Sequence, residues 1–192
     1  MNNLDIIIEA YNCEVGDIPR IHREEGGGKA RNASGVLFEN FIERVCADNN
    51  LVAKKNDYKR SKEIDGLFVK NLQVDKHIYR SGFFKNALEC KAYLDSCYLK
   101  RAVLDFIELH ESPDVPNDVE YAIFAGQNCV SEDTLKYYLA YFKSKTNKDL
   151  NIFIVNKQKK RSASKAIYME NYSEDFQLDI TEVNKFVEWL NK

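Results

Sequence analysis

In the segment Ala87-Leu88-Glu89-Cys90-Lys91-Ala92-Tyr93-Leu94, a carboxylate and an ammonium stand two positions apart. Read as a strand, the segment turns alternate side chains to opposite faces. Leu88, Cys90, Ala92 and Leu94 then share a uniformly apolar face suited to packing under a helix. Glu89 and Lys91 share the other face with Ala87 and Tyr93, their Cα atoms about 7 Å apart by strand geometry. In the preceding run, Ile64-Asp65-Gly66-Leu67-Phe68-Val69, β-branched and aromatic residues predict another strand, and Asp65 supplies a second carboxylate. Antiparallel pairing of the two runs would bring Asp65 beside Glu89. Two carboxylates so close repel each other and are stabilised by a divalent cation. Mg²⁺ takes oxygen ligands, keeps several waters and often uses only one or two carboxylates; the main-chain carbonyl of Cys90 is a further candidate ligand. Such a cation lowers the pKa of a water and offsets charge developing on a phosphate. Lys91 could orient or deprotonate that water, or stabilise the crowded phosphorus.

Each of these residues also has a plainer reading. Glu89 and Lys91 could form an exposed ion pair, which contributes little to stability. Asp65-Gly66 could be a hairpin turn, since Asp-Gly is a turn signal. Glu63 shares the face of Asp65 and rivals it as a ligand. His22, His77 and His110 show no metal-ligand spacing, and His110 on an apolar helix face reads as a core or boundary residue.

The helix residue Glu39 in Ser34-Gly35-Val36-Leu37-Phe38-Glu39-Asn40-Phe41, then Ile64-Asp65-Gly66, then Leu88-Glu89-Cys90-Lys91, resembles the ordered signature of the PD-(D/E)xK nuclease superfamily. The resemblance spans roughly residues 34–155 in element order. It implies a restriction-endonuclease-like α/β/α sandwich with a central mixed β-sheet. It also implies catalytic roles for Glu39, Asp65, Glu89 and Lys91, and one or two Mg²⁺ ions held by Asp65, Glu89 and the Cys90 carbonyl. Ile64 stands where the signature has proline. The 24-residue gap from Asp65 to Glu89 exceeds a minimal hairpin, so residues 71–82 are expected to form a hairpin tip or an insertion. A stand-alone domain of this size looks most like a type II restriction endonuclease, acting on double-stranded DNA as a homodimer. A Holliday-junction resolvase, a homing or repair nuclease, and a non-catalytic DNA-binding module are the alternatives.

The elements that must position these groups are legible in outline. A short helix is expected over residues 4–12. Ser34 is a good N-cap for a helix over 35–49, whose apolar stripe is Phe38, Phe41, Ile42 and Val45, with Glu39 at its flank. Strands are expected at 51–55, 83–94, 120–126 and 150–155, with helices over 96–110, 131–145 and 181–190 between and after them. Helices interleaved with strands predict an α/β fold covered on both faces.

The chain of 192 residues fits one domain, with a core over about 34–155 and a C-terminal extension over 156–192. Its net charge of −2 means that DNA contact would depend on local basic patches. Lys29 and Arg31 fall in a glycine-rich stretch, 21–35, expected to be a flexible loop that clamps the backbone. That stretch lacks the spacing of a phosphate-binding GxxxxGK[ST] loop. Lys157, Lys159, Lys160 and Arg161 form a second basic run after a strand, placed to contact phosphates or base edges. The helix bearing Tyr137, Tyr138 and Tyr141, or the C-terminal amphipathic helix, is expected to supply the dimer surface. Five cysteines without CxxC spacing argue against a disulfide framework and for a cytoplasmic setting. No apolar run reaches the ~20 residues needed to span a bilayer, so no membrane partner is expected.

Overall fold

The computed structural model describes residues 3–16, 18, 21, 24, 27–55, 61–64, 67–70, 74–156 and 178–192. Five helices appear among them: α1 (Asn3–Glu14), α2 (Gly27–Asp48), α3 (Ser96–His110), α4 (Glu132–Thr146) and α5 (Ile180–Leu190). The strands are β1 (Val52–Lys54), β2 (Ser61–Ile64), β3 (Leu67–Lys70), β4 (Lys76–Arg80), β5 (Phe83–Leu94), β6 (Glu120–Asn128) and β7 (Leu150–Ile154). A mixed five-stranded sheet runs in the order β1-β4-β5-β6-β7. The β1–β4 and β4–β5 pairs are antiparallel, and β5–β6 and β6–β7 are parallel.

Strand alternation sorts the core into two layers. Leu88, Cys90, Ala122, Phe124 and Phe153 face α1, α2 and α5, where Phe38, Phe41, Phe186 and Trp189 are buried. Ala87, Tyr121, Ile123 and Ala125 face α3 and α4, where Leu99, Val103, Phe106 and Phe142 are buried. Each fully buried apolar side chain of this kind contributes about 1.5–3 kcal/mol. Leu88 and Cys90 of the expected apolar face of β5, with Ala92 packed against them, therefore meet the apolar stripe of α2 in the first layer, whereas Leu94, expected on the same face, is buried in the second layer. Among the described residues, no helix is long and apolar enough to cross a membrane.

Two features differ from the sequence expectation. The helix expected from residue 35 begins at Gly27, so Lys29 and Arg31 belong to its first turns and not to a loop. Glycine costs least near a helix start, and Lys29, Ala30 and Arg31 are strong helix formers. Ser34, expected as an N-cap, is a buried residue inside α2. The second difference is that residues 76–80 form a full strand, paired with β5 across a two-residue turn at Ser81-Gly82. Both turn residues have positive φ, 51° and 84°, as a twist-matched type I′ hairpin turn requires. The register shifts between Ile78 and Tyr79, leaving Lys85 as the extra residue on β5.

Candidate active site

The site arises where β4 stops and β5 continues. The last β4–β5 pair is Lys76↔Leu88, while β5 runs on to Leu94, so the β4-side edge of β5 lies open beyond Leu88. Asp75, the residue just before β4, covers the first exposed backbone group there. Its Oδ2 accepts from the Cys90 N–H at 2.9 Å and from Lys91 Nζ at 2.6 Å. The Asp75 N–H in turn donates to Glu89 Oε1 at 3.3 Å. Lys91 Nζ also lies 2.6 Å from Glu89 Oε2, so one ammonium closes both carboxylates.

Burial sets the electrostatics. The Glu89 side chain is 6% exposed, against 20% for Lys91 and 22% for Asp75. Loss of solvent pushes the Glu89 carboxyl up to about 8; the Asp75 charge adds to this and Lys91 opposes it. Burial also works upward on Asp75, but the Lys91 ammonium and the Cys90 N–H outweigh it and hold the carboxyl below its usual range. For Lys91, burial works downward, and the two carboxylates overcome it and keep the ammonium charged.

Glu39, on α2, borders the same space. It pairs with Lys55 at 2.9 Å and with the buried Lys76 at 3.2 Å, and Lys76 also reaches Glu43 at 2.5 Å. A cavity of about 320 Å³ opens between α2 and the start of α3, its wall formed by Gly35, Val36, Glu39, Asp75, Lys91 and Tyr98 among others. A second recess of about 130 Å³, on the far side of Lys91, is bordered by Glu89, Arg101 and Ala102. Asp95 caps α3 by accepting from the Tyr98 N–H at 2.8 Å, which fixes the turn from β5 and places Tyr98 and Arg101 over the site.

The residues expected from sequence divide accordingly. Glu89, Lys91 and the Cys90 backbone stand together, and Glu39 lies on the wall of the same cavity. Asp65 lies outside the described residues. Among the described residues, the strands on either side of it, β2 and β3, pair with each other in register from Ser61↔Lys70 to Ile64↔Leu67 and not with β5, which takes β4 as its neighbour. Glu63, the rival ligand, falls in β2 of that separate pair. Asp75 holds the place expected of Asp65, fourteen positions before Glu89. The Ser81-Gly82 turn alone would not have found it: an unbroken register from Arg80↔Phe83 sets Asp75 opposite Leu88, and the extra residue Lys85 on β5 moves its partner to Glu89. Lys157, Lys159, Lys160 and Arg161 lie outside the described residues.

Among the described residues, no group of three or more His, Cys, Asp or Glu side chains is poised as a metal cluster. The donor set nonetheless fits a hard divalent cation. Two carboxylates converge on one cationic centre, and such a cation needs only one or two of them plus water and carbonyl oxygens. The N–H and C=O of one strand residue point to the same side, so the Cys90 carbonyl shares the open edge with its N–H.

No family model and no curated protein matches the chain. Among solved structures it is similar to P. aeruginosa NucC in its cAAA-bound form. The TM-score is 0.56 at 8% sequence identity, over 98% of this chain and 90% of that one. At that identity the likeness concerns architecture. The chain has the α/β restriction-endonuclease-like fold: a mixed five-stranded sheet covered by helices.

Proposed function

We propose that the protein is a divalent-cation-dependent endonuclease that hydrolyses DNA phosphodiester bonds. The observation that carries this reading is the convergence of Asp75 and Glu89 on Lys91 at the open edge of β5, in a restriction-endonuclease-like fold. Asp75, Glu89 and the Cys90 carbonyl would hold Mg²⁺. When bound, the cation supplies charge to offset the phosphate and acidifies a water. Glu89 and Asp75 fix where the scissile phosphate sits against the sheet edge. Lys91 orients the attacking water and donates to the phosphate oxygen on which charge grows. Glu39 stands on the cavity wall, tied by Lys76 and Lys55, and reaches the outer part of the same site. NucC, as a structural neighbour, supports the nuclease class over a non-catalytic binding module.

The finer reading is site-specific cutting of double-stranded DNA by a homodimer, as in type II restriction enzymes; it rests on the sequence resemblance. In that reading Lys29 and Arg31, and Lys157, Lys159, Lys160 and Arg161, contact the DNA. The test is incubation of plasmid, linear phage and four-way-junction DNA with Mg²⁺, Mn²⁺ or EDTA. Discrete bands from linear DNA support restriction, and cutting of the junction alone favours a resolvase. Asp75→Ala and Lys91→Ala should abolish cleavage. If Asp65→Ala abolishes it while Asp75→Ala does not, the carboxylate assignment is wrong. Salt-dependent DNA binding without cleavage under any cation would overturn the enzymatic reading.

A further inference from the structure

Gly35 lies inside α2, eight residues from its start and thirteen from its end. Glycine there is less favourable than alanine, because it gives up more chain entropy on folding and leaves backbone exposed. The fold gives no reason for it. The only glycine with positive φ among the described residues is Gly82. A Cβ built on Gly35 meets nothing within 4 Å, whereas one built on Gly126 would lie 2.5 Å from the Ala92 carbonyl oxygen. Gly126 is therefore demanded by packing, and Gly35 is not.

Gly35 does border the cavity beside the acidic pair. It precedes Glu39 by one helical turn, so both present to the same space. At about 320 Å³, this space lies near the lower end of small-molecule pockets, ~300–1,000 Å³. That is room for one nucleoside unit and not for a duplex groove. Asp75 and Lys91 make part of its lining polar. The rest of the lining is apolar and aromatic, with Val36, Ala92 and the edge-to-face pair Tyr93 and Tyr98, whose ring centroids are 5.8 Å apart, the Tyr98 ring lying 6.0 Å from Lys91 Nζ. Aromatic rings beside a phosphate-directed cluster suit an unstacked base.

We propose that this cavity receives the nucleoside next to the scissile phosphate, unstacked from its neighbours, and that Gly35 determines what fits there. The inference rests on the endonuclease reading and extends it to the substrate. Catalysis by the full chain would be followed for wild type, Gly35→Ala, Gly35→Val and, on the exposed side of α2, Asn40→Ala. The substrate is an oligonucleotide containing a mapped wild-type cleavage position. Gly35→Ala should raise Tm by about 2–4 °C, the gain expected of a helix-interior alanine in a domain of this size. The same variant should raise KM about tenfold or more, with kcat little changed. Gly35→Val should have the larger KM defect, and Asn40→Ala should have none. An abasic residue beside the scissile phosphate should return the Gly35→Val enzyme toward the wild-type rate, because the excluded base is gone. Wild-type KM in Gly35→Ala, a lowered Tm in that variant, or no abasic rescue would each overturn the subsite while leaving the nuclease standing. A wild-type protein that cleaves no DNA would remove both.

Discussion

Lys91 Nζ donates to Asp75 Oδ2 at 2.6 Å, closing a carboxylate that the Cys90 N–H already holds from the strand edge. The same ammonium is the countercharge of the buried Glu89. Lys91→Met therefore leaves two carboxylates facing each other without a cation. Removing one partner of such a buried pair costs about 3–5 kcal/mol, and protonation of Glu89 would relieve part of that. Mg²⁺ should raise the melting temperature of Lys91→Met more than that of wild type, because the cation replaces the missing charge. The Asp75→Asn/Glu89→Gln double variant should show no Mg²⁺-dependent shift. Thermal melts with and without Mg²⁺ check both. An equal shift in all three proteins would mean the cation binds elsewhere.

Arg101 stands at the mouth of the smaller recess with 72% of its side chain exposed, tethered only loosely to the buried Asp105 at 3.5 Å. A guanidinium so placed beside Glu89 and Lys91 is suited to a backbone phosphate of the substrate. Arg101→Ala should weaken DNA binding across sequences and flatten the plot of log K against log salt by about 0.9. Titrations at several salt concentrations read this directly; an unchanged slope would show that Arg101 touches no phosphate.

Gly126 on β6 offers the reverse of the Gly35 case. Its added Cβ would sit 2.5 Å from the Ala92 carbonyl oxygen, 3.0 Å from Phe38 Cζ and 3.1 Å from Asn156 Nδ2. The carbonyl belongs to a neighbouring strand of the central sheet and cannot swing aside. Gly126→Ala should destabilise by about 1–3 kcal/mol through overpacking, measured by urea unfolding. A neutral result would mean the β5–β6 pair can spread at no cost.

His110 meets the Tyr121 hydroxyl through Nδ1 at 3.3 Å. Burial, with Lys148 nearby, holds its pKa below the usual value, so the folded protein favours the neutral ring. The unfolded chain takes up the proton more readily. The stability from this group is thus complete above the unfolded pKa of about 6.5 and is lost as pH falls through the folded value. Denaturation between pH 5 and 7 should show this slope in wild type and a shallower one in His110→Gln.

The local pattern of the chain determined a good deal. The alternation around Glu89 and Lys91 predicts a strand that carries the two charged side chains on one face, and β5 spans Phe83–Leu94 in agreement with that pattern. The helix over 96–110 matches α3, because its apolar spacing and its polar flanks agree. Such features depend on side-chain periodicity, which neighbouring residues alone establish. The second carboxylate did not follow from this kind of information. Ile64-Asp65-Gly66-Leu67 has the more strand-like composition, yet its flanking strands close on each other, and the residue that reaches Glu89 is Asp75.

Sequence by itself determined that Glu89 and Lys91 share one face of β5, since a strand's two sides are set by its own period. Only the tertiary structure decided which acid joins them, which lysines hold Glu39, and that a helix glycine borders an open cavity. Those are outcomes of strand pairing and of where β4 ends. Both depend on a turn with two positive-φ residues and on packing between segments far apart in the chain, which no local pattern encodes.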